Sequence, residues 1–245
     1  MTGKRRKPVT AAELLAELEQ DPDFVAGQQR DRERDEANRR QYQREATPVL
    51  SELAELGYHV QSMKQLRLLG TTYTDAVPVL AKWMRRIEDR YVKDDIVRSL
   101  AVPWATAAAP ALLAEFREGD PSQDPPDTSP RWVVGLALSA IADPSLADEL
   151  IELAADRRWG EARGMIIQEL SKTGDPRAVD VLLNLLDDAT VSTDAIIGLG
   201  KIGDAAARPA LERFLTHSDS WVRKEAKKAV ARIDRKMNRG LKRNG

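Results

Sequence analysis

The side chains that could do chemistry are few and scattered. The chain of 245 residues contains no cysteine, so it offers no disulfide framework, no thiolate metal site and no cysteine nucleophile. Its two histidines, His59 and His217, are 158 positions apart, and neither has metal-ligand spacing around it. Asp187-Asp188 is an acidic pair at a predicted helix end, where a carboxylate caps or turns the chain. Gly198-Leu199-Gly200 lies inside a helical pattern, whereas a phosphate-cradling loop follows a strand. No nucleophile can be matched to a base. The expectation is a chain without catalytic residues, cofactor or metal, whose function resides in a binding surface.

Charge gives that surface a direction. The 38 Lys and Arg nearly balance the 39 Asp and Glu, but not evenly along the chain. Residues 143–220 hold 15 acidic and 8 basic side chains, a net of −7. Residues 221–245 hold 10 basic and 2 acidic, a net of +8, and Lys4, Arg5, Arg6 and Lys7 make the beginning basic as well. Two readings stand: solvated termini, or basic ends that meet nucleic acid or an acidic partner. No run of about 18 apolar residues exists to span a membrane. Glu13 interrupts the apolar stretch that a signal peptide would need, so a cytoplasmic protein is expected.

The elements that would carry such a surface recur. Six segments share a helical pattern with Pro or Asp near the first turn, beginning at Pro48, Pro78, Pro110, Asp148, Asp180 and Pro209. Their spacings are 30, 32, 38, 32 and 29 residues. The long interval contains Gly119–Pro130, a proline-rich insertion predicted to be a mobile loop between two helices. Proline suits a first turn because its missing N–H had no intrahelical partner there. Second helices follow, clearest at Val97–Val102, Trp132–Ala142, Ala162–Thr173, Val191–Ile202 and Val222–Ile233. In the last, Val222, Ala226, Ala229, Val230 and Ile233 form one stripe. Gly174-Asp175 and Gly203-Asp204 close one pair and cap the next. No segment alternates with period two.

The motifs LGKIGD at 199–204 and WVRKEAKKAVARI at 221–233, with the paired helices, resemble HEAT repeats, in particular the short bacterial kind called phycobilisome-lyase-type HEAT-like repeats. The resemblance covers roughly residues 75–245, with a degenerate repeat at 46–70. It implies an all-α fold: an α-solenoid of about five to six helix pairs with an N-terminal helical arm. The domains are then 1–45 (basic tail, short amphipathic helix and long charged helix), 46–235 (the solenoid) and 236–245 (a basic C-terminal tail). The Val-Arg pair that opens second helices stands at Val97-Arg98 and Val222-Arg223, becomes Ala162-Arg163, and is lost at Val191-Ser192, which breaks any continuous arginine ladder. Bilin lyases and HEAT-like DNA glycosylases share the fold, but their functional residues do not carry over to this chain. In the arm, Thr10 and Glu13 form a capping box for Ala11–Gln20, with Leu14, Leu15 and Leu18 on one face. Phe24–Glu45 is polar nearly all round and reads as a long solvated helix or as an unfolded linker.

The resemblance also implies that second helices line the concave side. Taking offsets of two, five and six from Val222, the last repeat presents Lys224, Lys227 and Lys228. Upstream the same offsets, counted from Pro130, Ala162 and Val191, give Trp132, Gly135 and Leu136, then Gly164, Ile167 and Gln168, then Thr193, Ile196 and Ile197. The expected partner-binding strip for a protein or peptide is Trp132, Leu136, Ile167 and Ile196, unless neighbouring helices bury it. Lys224, Lys227 and Lys228 are the candidate nucleic-acid contacts in the rival reading. The leading function is a bacterial cytoplasmic scaffold or adaptor; the alternatives are a nucleic-acid-associated protein and a lyase- or glycosylase-type enzyme. Among the tryptophans, Trp83 is expected in the core, and Trp159 and Trp221 are expected to pack on the turns before them.

Overall fold

The computed structural model describes residues 18–123 and 130–243, together with Thr10, Ala11 and Leu15. The described residues contain twelve α-helices, several 3-10 turns and no strand. The chain divides into two compact units, residues 1–47 and 48–245. Helix α1, Pro22–Glu55, begins in the first and ends in the second. Most of the capping box and leucine face expected at 10–20 lies outside the described residues.

In the first unit the long polar segment is helical. Arg34 pairs with Asp31 at 3.1 Å along its exposed surface. Pro48, expected in a first turn, lies inside α1.

The second unit is a stack of helix pairs. After the end of α1 come α2 (Met63–Leu68), α3 (Val77–Met84) and α4 (Arg90–Leu100). Then come α5 (Ala109–Arg117), α6 (Pro130–Ile141), α7 (Ala147–Ala155) and α8 (Gly164–Glu169). The last four are α9 (Arg177–Leu185), α10 (Ser192–Ile202), α11 (Arg208–Glu212) and α12 (Ser220–Arg243). First helices α3, α5 and α11 carry Pro in the first turn, as the pattern requires. The even-numbered second helices pack successively on one another from α2 to α12. Aspartates open the turns: Asp89, Asp143, Asp175, Asp204 and Asp219 each accept a backbone N–H two residues on. Gly174 and Gly203 take the left-handed conformation that ends the preceding helix, with φ of 66° and 67°.

Two boundaries differ from expectation. The second helix expected at Val97–Val102 starts at Arg90, so Val92-Lys93, not Val97-Arg98, is the counterpart of Val222-Arg223. Leu80 precedes Val92 by the same 12 residues that separate Leu150 from Ala162. The basic tail expected from 236 continues as α12 to Arg243. Lys236 anchors that extension, its Nζ donating to the Ile202 carbonyl at 2.8 Å. Of the insertion, Pro121–Gln123 forms a 3-10 turn held by Asp120, and residues 124–129 lie outside the described residues.

Candidate functional site

The site is built by the second helices, so its geometry follows from how they stack. Counting from Val92, Pro130, Ala162, Val191 and Val222 puts equivalent residues in register. At offset five, Ile167 and Ile196 are both 0% exposed. They are core residues, which corrects their expected place in an open strip. The physical reason is that an interior second helix is enclosed by its own first helix and by the second helices before and after it. Offset five faces the following helix rather than solvent. Neighbours are close enough that a Cβ on Gly198 would stand 2.8 Å from the Ile167 carbonyl oxygen. One on Gly135 would stand 2.7 Å from the Ala162 carbonyl oxygen. These glycines are contact points, not gaps in a groove.

Offsets two, six and ten form the stripe that reaches the surface. On α6 it reads Trp132, Leu136 and Ala140: Trp132 is 41% exposed, and Leu136 and Ala140 are half-buried. On α4 it reads Asp94 and Arg98, an ion pair at 2.6 Å. On α8 it passes Gln168 and Lys172, with Met165 half-buried beside them. On α10 it reads Thr193, Ile197 and Lys201, and on α12 Lys224, Lys228 and Arg232, all three exposed. Of the seven residues singled out in the sequence, Trp132 and Leu136 share one helix face. Lys224, Lys227 and Lys228 share another helix and are exposed.

Polar staples cross between successive second helices. Lys172 Nζ donates to the Ser139 carbonyl at 2.9 Å, and Lys201 Nζ to Glu169 at 2.5 Å. Gln168 Nε2 donates to Asp194 Oδ1 at 2.7 Å. Burial raises the Asp194 carboxyl pKa above the usual aspartate value, and the Gln168 bond offsets only part of that. A Cβ on Gly164 would lie 2.7 Å from Asp194 Oδ2, so the glycine makes room for this carboxylate.

The arginines at the second-helix starts have a structural task. Arg163 is 1% exposed; it donates to the Ala154 carbonyl at 2.7 Å, to the Gly160 carbonyl at 3.1 Å and to Asp188. Arg131 donates to the carbonyls of Phe116 and Glu118, and Arg223 to those of His217 and Ser218. Each ties a second helix to the end of its own first helix, so these side chains do not form a ligand-binding ladder. Burial opposes the charge on Asp188, but the Arg163 bond and the Thr190 N–H outweigh it and hold the carboxyl below the usual aspartate value. The acidic pair at 187–188 is thus a turn element: Asp188 joins Arg163 and Asp187 joins Arg213.

The tryptophans divide. Trp159 is buried edge-on against Phe116, ring centroids 5.5 Å apart, with the Arg131 guanidinium 4.9 Å from its centroid. Trp83, expected in the core, is half-buried. Trp221, expected to pack on a turn, is 53% exposed, with Lys224 and Lys228 Nζ at 5.4 and 5.7 Å from its ring centroid. His59 and His217 are exposed and far apart in sequence. Among the described residues no group of three or more His, Cys, Asp or Glu side chains could hold a metal ion. No helix among them is long and apolar enough to cross a membrane.

Solved structures similar to this chain include an armadillo design and an engineered protein. One is a designed armadillo repeat protein, 18% identical over 70% of this chain and 85% of its own, with a TM-score of 0.43. The other is an engineered protein, 19% identical over 72% of this chain and 58% of its own, with a TM-score of 0.40. No curated protein sequence matches. Residues 122–194 match the family model of HEAT repeats, and residues 193–217 match that of the PBS lyase HEAT-like repeat. The second unit is an α-solenoid, and its residues 122–217 are matched by models of HEAT and HEAT-like repeats.

Proposed function

We propose that the chain is a non-enzymatic scaffold, cytoplasmic and bacterial, that binds a protein segment on the surface stripe of its second helices. The observation that carries this reading is the α6 segment of that stripe. Trp132, Leu136 and Ala140 place three apolar side chains on one surface face, with Trp132 41% exposed. On α4, α8, α10 and α12 the same positions carry mainly polar or charged groups such as Asp94, Arg98, Gln168, Lys172, Thr193 and Lys201, with Ile197 an isolated apolar member on α10. An indole beside aliphatic groups, rimmed by charges, has the composition of a protein-interaction hot spot. The reading assigns the chain no reaction, metal or cofactor.

The test is affinity capture with the whole chain, beside Trp132→Glu and Lys227→Glu variants. A protein recovered in stoichiometric amount by the parent and Lys227→Glu, and lost with Trp132→Glu at unchanged melting temperature, supports the assignment. Equal recovery by all three would remove α6 from the interface.

A further inference from the structure

The same stripe changes character on α12, and that change points to a second ligand, independent of the α6 surface. Lys224, Lys228, Arg232 and Lys236 recur every fourth residue, so each follows the last by roughly 6 Å along the axis. Acids neutralise little of this row. Lys228 pairs with Glu225 at 2.6 Å. Lys236 donates to an uncharged carbonyl. Arg232 has neither a hydrogen bond nor an ion pair among the described residues, and Lys224 has only its contact with the Trp221 ring. Asp234, the other acid of α12, is taken by Arg208 at 2.7 Å. Arg232 and Lys236 also line a shallow cleft between α10 and α12 with Gly200, Lys201 and Gly203. At the head of the row stands Trp221, 53% exposed, with Lys224 and Lys228 over its ring.

We propose that this face of α12 binds single-stranded nucleic acid, with Lys224, Lys228, Arg232 and Lys236 meeting successive phosphates and Trp221 stacking on a base. A regular row of cations suits a polyanion with regular charge spacing. Phosphates would draw on Lys224 and Lys228 as the base takes their place over the indole. The exposed ring discriminates between polyanions: every base has a π-face to stack, whereas a carboxylate peptide has no use for it. A duplex keeps its bases stacked on one another and gains nothing from Trp221.

The experiment titrates the full chain into a fluorescently labelled oligothymidylate and follows anisotropy. Duplex DNA and polyglutamate serve as competitors. Four phosphate contacts on a single strand predict an affinity that falls about 50-fold between about 50 and 200 mM salt. Arg232→Ala should lower the salt slope by about 0.7. Trp221→Ala should weaken binding roughly tenfold without changing that slope, and Trp221→Phe should restore most of the loss. Absence of binding at about 50 mM salt overturns the proposal. So does competition by duplex or polyglutamate as strong as by the single strand, or an affinity indifferent to Trp221→Ala.

Discussion

The middle of the stack and its last described helix use one repeat pattern for opposite ends. At offset five α10 has Ile196, fully buried, and α12 has Lys227, exposed. At offset seven α10 has Gly198 because Ile167 leaves no room for a side chain, while α12 has Ala229 pressed against Gly200. At offset three Asp194 leans on Gln168, and Glu225 has its own Lys228. Offset five therefore reports whether a following helix packs there, whereas offset seven is buried on both helices. Offsets two, six and ten escape that constraint on α6 and α12. There the chain is free to differ, apolar on α6 and basic on α12.

The sharpest break of the comparison is a carboxylate at offset five. Ile196→Asp would bury an unpaired acid between α10 and its neighbours, at a cost of about 3–5 kcal/mol. Lys227→Asp changes an exposed side chain and should stay within about 0.5 kcal/mol. Urea melts of the two variants read the contrast. Equal destabilisation would mean that the offset does not distinguish interior from surface.

A smaller effect tests the close approach. An alanine is ordinarily better than glycine in a helix by roughly 1 kcal/mol. At Gly198 the added Cβ would meet a backbone oxygen at 2.8 Å and the Leu182 methyls at 3.1 and 3.2 Å. Backbone cannot swing aside as a flexible side chain can, so Gly198→Ala should destabilise by about 1–3 kcal/mol. Gly27→Ala, with nothing within 4 Å of the new Cβ, should be neutral or stabilising. A stabilised Gly198→Ala would show that α8 and α10 are not in close contact.

Local rules made the helices, their proline starts, the aspartate caps and the glycine stops legible in the sequence, because each needs only a few neighbouring residues. The site was half legible, because exposure depends on what lies beside a helix. Reading Trp132, Leu136, Ile167 and Ile196 as one strip treats every second helix as though it had a free side opposite its stripe. That holds on α12, where Lys227 is exposed, and fails where a following helix covers the same side. Lys224, Lys227 and Lys228 thus carried the missing signal: three charges at offsets that are partly buried upstream mark the difference between an end and an interior. Arg131 and Arg163 were illegible as turn staples, since all their carbonyl acceptors but that of Gly160 lie 9 to 15 residues away along the chain.

The finest test concerns the acid at offset three. Burial makes the folded chain hold a proton on Asp194 more tightly than the unfolded chain does, since the carboxyl stands above its ordinary value of 3.8. Between those two values the folded state binds more protons than the unfolded state. Stability therefore falls as pH rises through that window, and the loss is complete above the folded value. Asp194→Asn removes the titration and keeps an amide oxygen for Gln168 Nε2. Its melting temperature should exceed the parent's at pH 7, and the advantage should shrink as the pH falls through the aspartate range. Glu225→Gln at the equivalent place in α12 should gain nothing at pH 7, because it discards a charge that Lys228 meets at 2.6 Å. Melts of the three proteins across the acid range decide the matter. An advantage of Asp194→Asn that does not vary with pH would mean the gain comes from packing, and equal behaviour at 194 and 225 would erase the distinction between the two helices at this offset.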